Sequence, residues 1–313
     1  VIEALKKSIE QNKYVYFLFK GLALLLMVFI ADRCIGTLLN HYYFRQTSGA
    51  LYRTTVAMEQ TGAKVLVLGS SRANHHYYPV FFEERLKQSF YNTGRDATSI
   101  FYDQIITKAV LKRYRPKLMV LDLNREAFME NDADYDKLSE FLPYYNTHPE
   151  IRGIINLKRP LERVKLLSKI YPFNSYLITI AVGNTEFNKK RKGDTKGYVP
   201  ISKKWTQPLQ SETAKTYKID QNKVNTYKDI IASCKAAGVR LVIVSSPYFI
   251  RFKSEDNSLA LAKLLAKKES IAFYDFSQDA YFLNRSSLFT DTYHLNNDGA
   301  MIFTNKLLDS LDQ

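Results

Sequence analysis

Lys64-Val65-Leu66-Val67-Leu68-Gly69-Ser70-Ser71-Arg72-Ala73-Asn74-His75-His76 is the stretch on which the reading of the chain turns. Lys64 to Leu68 is almost wholly large and apolar, with no polar alternation. Such a run suits a parallel strand covered on both faces. Gly69 ends it, where the absence of a Cβ permits a tight turn. Two serines follow at the carboxyl end of the strand, the place where open α/β sheets carry their sites. The plain alternative is a Gly-Ser turn joining a strand to a helix, with Ser71 as no more than a helix cap.

Outward from this stretch, strand and helix patterns alternate. Helices are expected over 79–87, 99–113, 222–237, 259–268 and 296–311. Strands are expected over 89–92, 117–123, 240–245 and 271–276. Alternation of this kind implies right-handed crossovers and a parallel α/β sheet with helices on both faces, three layers in all. An insertion at about 125–220 interrupts it, and long insertions at strand ends commonly build a site or its lid.

The chain has 313 residues, of which 46% are hydrophobic, enough for a full core. Its net charge of +14 implies an anionic neighbour, such as a membrane surface or an acidic glycan. A nucleic acid is not expected, because no zinc-finger spacing, RNA-binding signature or base-reading basic helix is present. Cys34 and Cys234 stand far apart and read as free thiols. Tyr14 to Ala31 is apolar apart from Lys20. Eighteen helical residues span about 27 Å, close to the thickness of a bilayer core. Lys6, Lys7 and Lys13 precede it, which favours a cytoplasmic amino terminus. A signal peptide would need a small-residue cleavage site, and none is evident. Residues 1–13 are therefore expected to be a cytoplasmic tail, 14–31 a transmembrane anchor, 32–61 a connector and 62–313 the α/β domain outside the cytoplasm. His41, Tyr42, Tyr43 and Phe44 in the connector either sit at the membrane interface or pack under the domain.

Three further stretches bear on Ser71. Asp291 lies three residues before His294, so it can curl back and accept the imidazole N–H, fixing the tautomer. His294 can then take the Ser71 proton through its other nitrogen. Gly94 follows the second expected strand, and its N–H is a candidate oxyanion donor. Asn124 follows the third and offers a side-chain amide for the same oxygen; the Ser71 N–H would complete the set. Each has a structural alternative: a packed histidine, a helix-entry aspartate, a turn glycine, a strand-end asparagine. His75-His76 does not read as a metal site, because adjacent histidines on a helix point apart. Neither a metal nor a cofactor is expected. Lys189-Lys190-Arg191-Lys192 and Lys203-Lys204 read as solvated charge, or contacts to anionic glycan or lipid.

The constellation resembles the SGNH or GDSL hydrolase family, named for Ser, Gly, Asn and His in four blocks. Gly69-Ser70-Ser71 matches the first block, Asn92-Thr93-Gly94 the second, Asp122-Leu123-Asn124 the third and Asp291-x-x-His294 the last. Ser70 stands where many members have Asp, and Asp122 where most have Gly. The resemblance, strongest to membrane-bound members serving cell-envelope acylation, implies a flavodoxin-like sheet. It also implies Ser71, His294 and Asp291 as the catalytic residues and an O-acylated carbohydrate as substrate. Membrane lipid around the anchor is an expected partner, and a membrane-bound acyltransferase is a further one. Gly69-x-Ser71-x-Ala73 also approximates the nucleophile elbow of α/β-hydrolases, but that fold places several strands before its nucleophile. A non-enzymatic envelope scaffold or glycan-binding protein is the remaining alternative.

Overall fold

The computed structural model describes residues 2–3, 13–158, 161–185 and 193–312. Lys6, Lys7 and the Lys189–Lys192 run lie outside the described residues. A long helix α1, Lys13–Phe44, leads into an α/β body. The elements that frame the site are β1 (Val65–Leu68), α2 (Ser71–His76), α3 (Pro79–Leu86), β2 (Phe90–Asn92), α4 (Ile100–Arg113) and β3 (Leu118–Asp122). After the insertion come α5 (Gln221–Ala236), β4 (Arg240–Ser245), α6 (Asn257–Lys268), β5 (Ala272–Asp275) and α7 (Asn297–Leu311).

The five strands form one parallel sheet in the order β2-β1-β3-β4-β5. This order is compatible with the flavodoxin-like expectation, in which the switch point falls between β1 and β3. Successive side chains of a strand point to opposite faces, and the core divides accordingly. Leu66, Leu68, Met119, Leu121, Leu241 and Ile243 face α4 and α5. Val65, Val67, Leu118, Val120, Val242 and Val244 face α3 and α7, where Phe82, Phe303 and Leu307 are fully buried. Both faces being covered accounts for the unbroken apolar runs in β1 and β3. A separate short parallel pair joins Gln210–Glu212 to Ile250–Phe252.

The α1 helix runs 13 residues beyond the expected anchor, from Ala31 to Phe44. Nothing from Asp32 to Phe44 breaks a helix: there is no proline, and Gly36 is tolerated within it. The rest of the expected connector is a helix at Gly49–Thr55 and a π-helical turn at Val56–Gln60. Leu51, Ala57 and Met58 are buried in the same core as α4. Tyr43 packs under the domain, edge-on to Tyr144 and tilted against Phe173, while Tyr42 stays exposed. The insertion is likewise part of this core, through Phe128, Leu138, Phe141, Tyr144 and Ile151. Cys34 is exposed and Cys234 buried, both free. Lys203 and Lys204 are exposed, with Lys204 3.4 Å from Asp298.

Candidate active site

Gly69 leaves β1 with φ 138°. A Cβ there would lie 2.8 Å from the Asp122 carbonyl oxygen and 2.8 Å from the Ala73 Cβ, so only glycine fits the turn. The turn sets Ser71 at the first position of α2, half-buried at the carboxyl end of β1. His294 comes from the loop before α7, 223 residues away in sequence, and its Nε2 is 2.7 Å from Ser71 Oγ. On the other side of the ring, Nδ1 lies 2.9 Å from Asp291 Oδ2 and 3.0 Å from Oδ1. A carboxylate can only accept, so Nδ1 carries the proton and Nε2 is left to accept from the Ser71 hydroxyl. Asp291 Oδ1 also accepts the backbone N–H groups of Tyr293 and His294, at 2.7 and 2.8 Å. Burial by itself would raise the Asp291 pKa, but hydrogen bonds from the His294 ring and the Tyr293 amide outweigh it. The carboxyl is held below its ordinary range and stays ionised beside the imidazole.

Of the three expected oxyanion donors, Asn124 and Gly94 fare differently. Asn124, half-buried just beyond β3, lines a cavity of about 220 Å³ together with Ser70 and Ser71. Its lining comes from the segments that follow β1 and β3, the start of α4 and the insertion. Gly94 does not offer its N–H to the cavity: the amide donates to Asn92 Oδ1 at 2.8 Å. The residue is glycine for a packing reason. A Cβ there would lie 2.5 Å from the Asn74 nitrogen and 2.8 Å from the Ala73 carbonyl carbon, so the loop after β2 lies directly against α2. Asn92 reinforces that contact by donating from Nδ2 to the Ala73 carbonyl at 2.7 Å. His75 and His76 diverge, as adjacent helical residues must. The Nδ1 of His75 is 2.7 Å from the Val199 carbonyl and its Nε2 is 3.2 Å from Asp96.

Beneath Ser71 lies a buried polar network that local sequence reading missed. Arg72 contacts Asp122 Oδ1 at 3.2 Å and donates to the Ser246 hydroxyl and carbonyl at 2.9 Å. Its guanidinium lies 3.9 Å from the centre of the Tyr248 ring. Tyr77 donates its hydroxyl to Asp122 Oδ2 at 2.5 Å. Asp122 is therefore the countercharge of the residue that follows Ser71. Arg72 beside Ser71 and Asp122 at the end of β3 were the available signals, but only the parallel pairing of β1 with β3 makes them neighbours. His76 Nδ1 donates to Ser246 Oγ at 2.8 Å, and burial together with Arg72 keeps the ring neutral, its pKa well below the ordinary histidine value.

A second missed group is Asp103, in the first turn of α4. It lines the same cavity, is 4% exposed, and its Oδ1 has no partner among the described residues. Burial raises its pKa to about 8 despite a hydrogen bond from the Gly69 backbone. Further along the wall, the buried Lys223 ammonium lies 2.6 Å from Asp134. The lining is thus largely polar, mixing carboxyl, amide, hydroxyl and ammonium groups.

No family model matches the chain, and no curated protein does. Among solved structures, it is similar to a Bacteroides fragilis crystal structure provisionally named an acylhydrolase. The two are 12% identical over 80% of this chain and 88% of the other, with a TM-score of 0.36. That degree of overlap supports no inference about fold or activity.

Proposed function

We propose that this chain is a serine-dependent acyl-ester hydrolase or O-acyltransferase of SGNH type, working through an acyl-Ser71 intermediate. The observation that carries the reading is the continuous chain Ser71 Oγ to His294 Nε2 at 2.7 Å and His294 Nδ1 to Asp291 at 2.9 Å. In this reading Ser71 Oγ attacks the ester carbonyl carbon while its proton passes to His294 Nε2. The carbonyl oxygen becomes an oxyanion, met by the Ser71 N–H and the Asn124 amide. Asp291 stabilises the imidazolium so formed and keeps the ring in place. Collapse expels the alcohol, which takes the proton back from His294, and leaves the acyl group on Ser71. Water or a sugar hydroxyl then attacks by the reverse route, giving hydrolysis or transfer.

The polar cavity beside Ser71 supports a small, polar acyl substrate over a long fatty one. The half-exposed Tyr293, next to His294 and 5.9 Å ring to ring from Tyr248, supplies an aromatic face of the kind that sugars stack on. With an apolar helix leading into the body, the proposed substrate is an O-acylated carbohydrate of the cell envelope. The body would then lie outside the cytoplasm, with a membrane-bound acyltransferase as candidate donor or neighbour. A fluorophosphonate probe tests the core of this. Wild-type chain should be labelled covalently, Ser71→Ala should not, and Ser70→Ala should label nearly as well as wild type. Labelling that survives Ser71→Ala would remove the nucleophile and the proposal with it.

A further inference from the structure

Among the described residues, α1 alone is long and apolar enough to cross a membrane, and its most apolar stretch has no cover from the body. Part of the insertion is fixed to the helix just where its apolar run ends. Asp32 accepts from the Ser168 hydroxyl and from the backbone N–H groups of Lys169, at 2.9 Å, and Ile170, at 3.2 Å. Arg33 donates to the Leu167 carbonyl. Gly36 permits the close approach, since a Cβ there would meet the Lys169 carbonyl carbon at 2.5 Å. From there the insertion climbs along α1 toward the body, and the Asn184 amide donates to the Tyr42 carbonyl at 2.9 Å. Residues 161–167 therefore sit at the end of the body that adjoins the apolar run of α1. Asp32 and Arg33 are only one and two residues beyond Ala31, about 3 Å along the axis at most.

The polarity of this segment is inverted. Glu162 is fully buried and gathers the polar contacts inward: Tyr171 Oη at 2.7 Å, Lys165 at 3.0 Å and Lys158 at 3.8 Å. Leu161, Val164 and Leu167 point outward, 64%, 60% and 71% exposed. A short segment that hides its carboxylate and shows its aliphatic side chains is poorly suited to water. It is suited to a lipid leaflet, and Arg163, Lys165 and Lys169, all exposed, stand beside it where anionic headgroups would lie.

We infer that residues 161–167 form an interfacial insertion element, with Leu161, Val164 and Leu167 entering the bilayer beside α1. The inference is independent of the proposed chemistry and rests on α1 being a membrane span. Its consequence is that the body is held at one height and one rotation about the anchor, so that the Ser71 cavity keeps a fixed orientation to the membrane.

The test uses the full chain in mixed phosphatidylcholine and phosphatidylglycerol vesicles. In a Cys34→Ser background, with Cys234 buried, a nitroxide is attached to single cysteines at Val164→Cys and Leu167→Cys. Leu25→Cys marks the span, and Leu264→Cys, on the exposed face of α6, marks water. Collision with oxygen, which concentrates in lipid, is compared with collision with a water-soluble nickel chelate. Labels at 164 and 167 should show an oxygen-to-chelate ratio several-fold above that at 264 and below that at 25. A ratio at 164 and 167 equal to that at 264, with 25 lipid-like, would overturn the inference alone. Shielding of 164 and 167 from both reagents would overturn it in favour of a protein partner. A water-like ratio at 25 would overturn the span and this inference together.

Discussion

The Leu295 backbone N–H donates to His76 Nε2 at 2.9 Å, across 219 residues of sequence. His76 belongs to the helix that Ser71 begins, and Leu295 follows His294 directly. This buried bond therefore ties the loop carrying His294 to the helix carrying Ser71. Replacing His76 by Ala leaves the buried Leu295 N–H without its partner, at a cost of about 1–3 kcal/mol, while the Ser246 hydroxyl keeps its bonds from Arg72. We expect His76→Ala to lower kcat on a model acetyl ester while KM changes little, because the loop holding His294 loses its anchor. Melting temperature measured on the same preparation gives the stability cost. A lower melting temperature with unchanged kcat would make His76 a packing residue only.

Asn124 is expected to act on the transition state. An amide that meets only the developing oxyanion changes turnover and not binding. Asn124→Ala should cut kcat by about 10²–10³-fold with KM nearly constant. Asn124→Asp should be worse, since a carboxylate would face the oxyanion. Steady-state kinetics on folded protein decide it, and an unchanged kcat would leave Asn124 a strand-end turn residue.

Asp122 is expected to matter for stability. Arg72 and Asp122 form a buried pair, with side chains 4% and 2% exposed. Burial pulls the Arg72 pKa down and Asp122 restores part of it. Removing one partner of such a pair typically costs about 3–5 kcal/mol, because the other charge stays buried alone. Asp122→Gly should therefore destabilise this chain by that order in urea unfolding. Pairing it with Arg72→Met should recover much of the loss, because no orphaned charge then remains.

Asp103 predicts a pH dependence. Its pKa is raised by burial, from an ordinary carboxyl value to about 8 when folded. Between the unfolded and folded values the native state binds the proton and the unfolded state does not, so stability falls as pH rises through that window. The contribution is intact below the unfolded value and lost as pH passes the folded one. Asp103→Asn mimics the protonated acid and should remove this slope. The melting temperature of wild type relative to the Asn variant should decline from about pH 5 to about pH 8. A constant difference would mean that Asp103 is not titrating in that range.

Gly94→Ala separates two readings of one residue. A Cβ there strikes the Ala73–Asn74 backbone, which any repacking must move. The variant should lose thermal stability and shift Ser71 through α2. Were the glycine needed only for a free N–H, alanine would keep the amide and the activity.

Local chemistry made some features legible from sequence. The short run at β1, bounded by Gly69, announces a covered parallel strand because a brief apolar stretch without alternation suits that environment. Gly69 announces the turn because its backbone angle excludes other residues. Asp291 and His294 could be paired on paper, since a spacing of three residues brings them within reach through one turn of loop. Asp122 and Arg72 were both visible, yet neither could be assigned a partner until β1 and β3 lay side by side. Gly94 shows the opposite limit. Its N–H looked free in sequence, and only the folded loop gave it to Asn92. The helix end at Phe44 was not legible either, because hydropathy marks the extent of an apolar run and not where a helix stops. Long-range geometry alone decided that Ser71 Oγ faces His294 Nε2 and that Leu295 hangs from His76. Those contacts join residues more than 200 positions apart, and no local preference encodes a distance of that kind. It is set by how the sheet, packed on both faces, brings its carboxyl ends together.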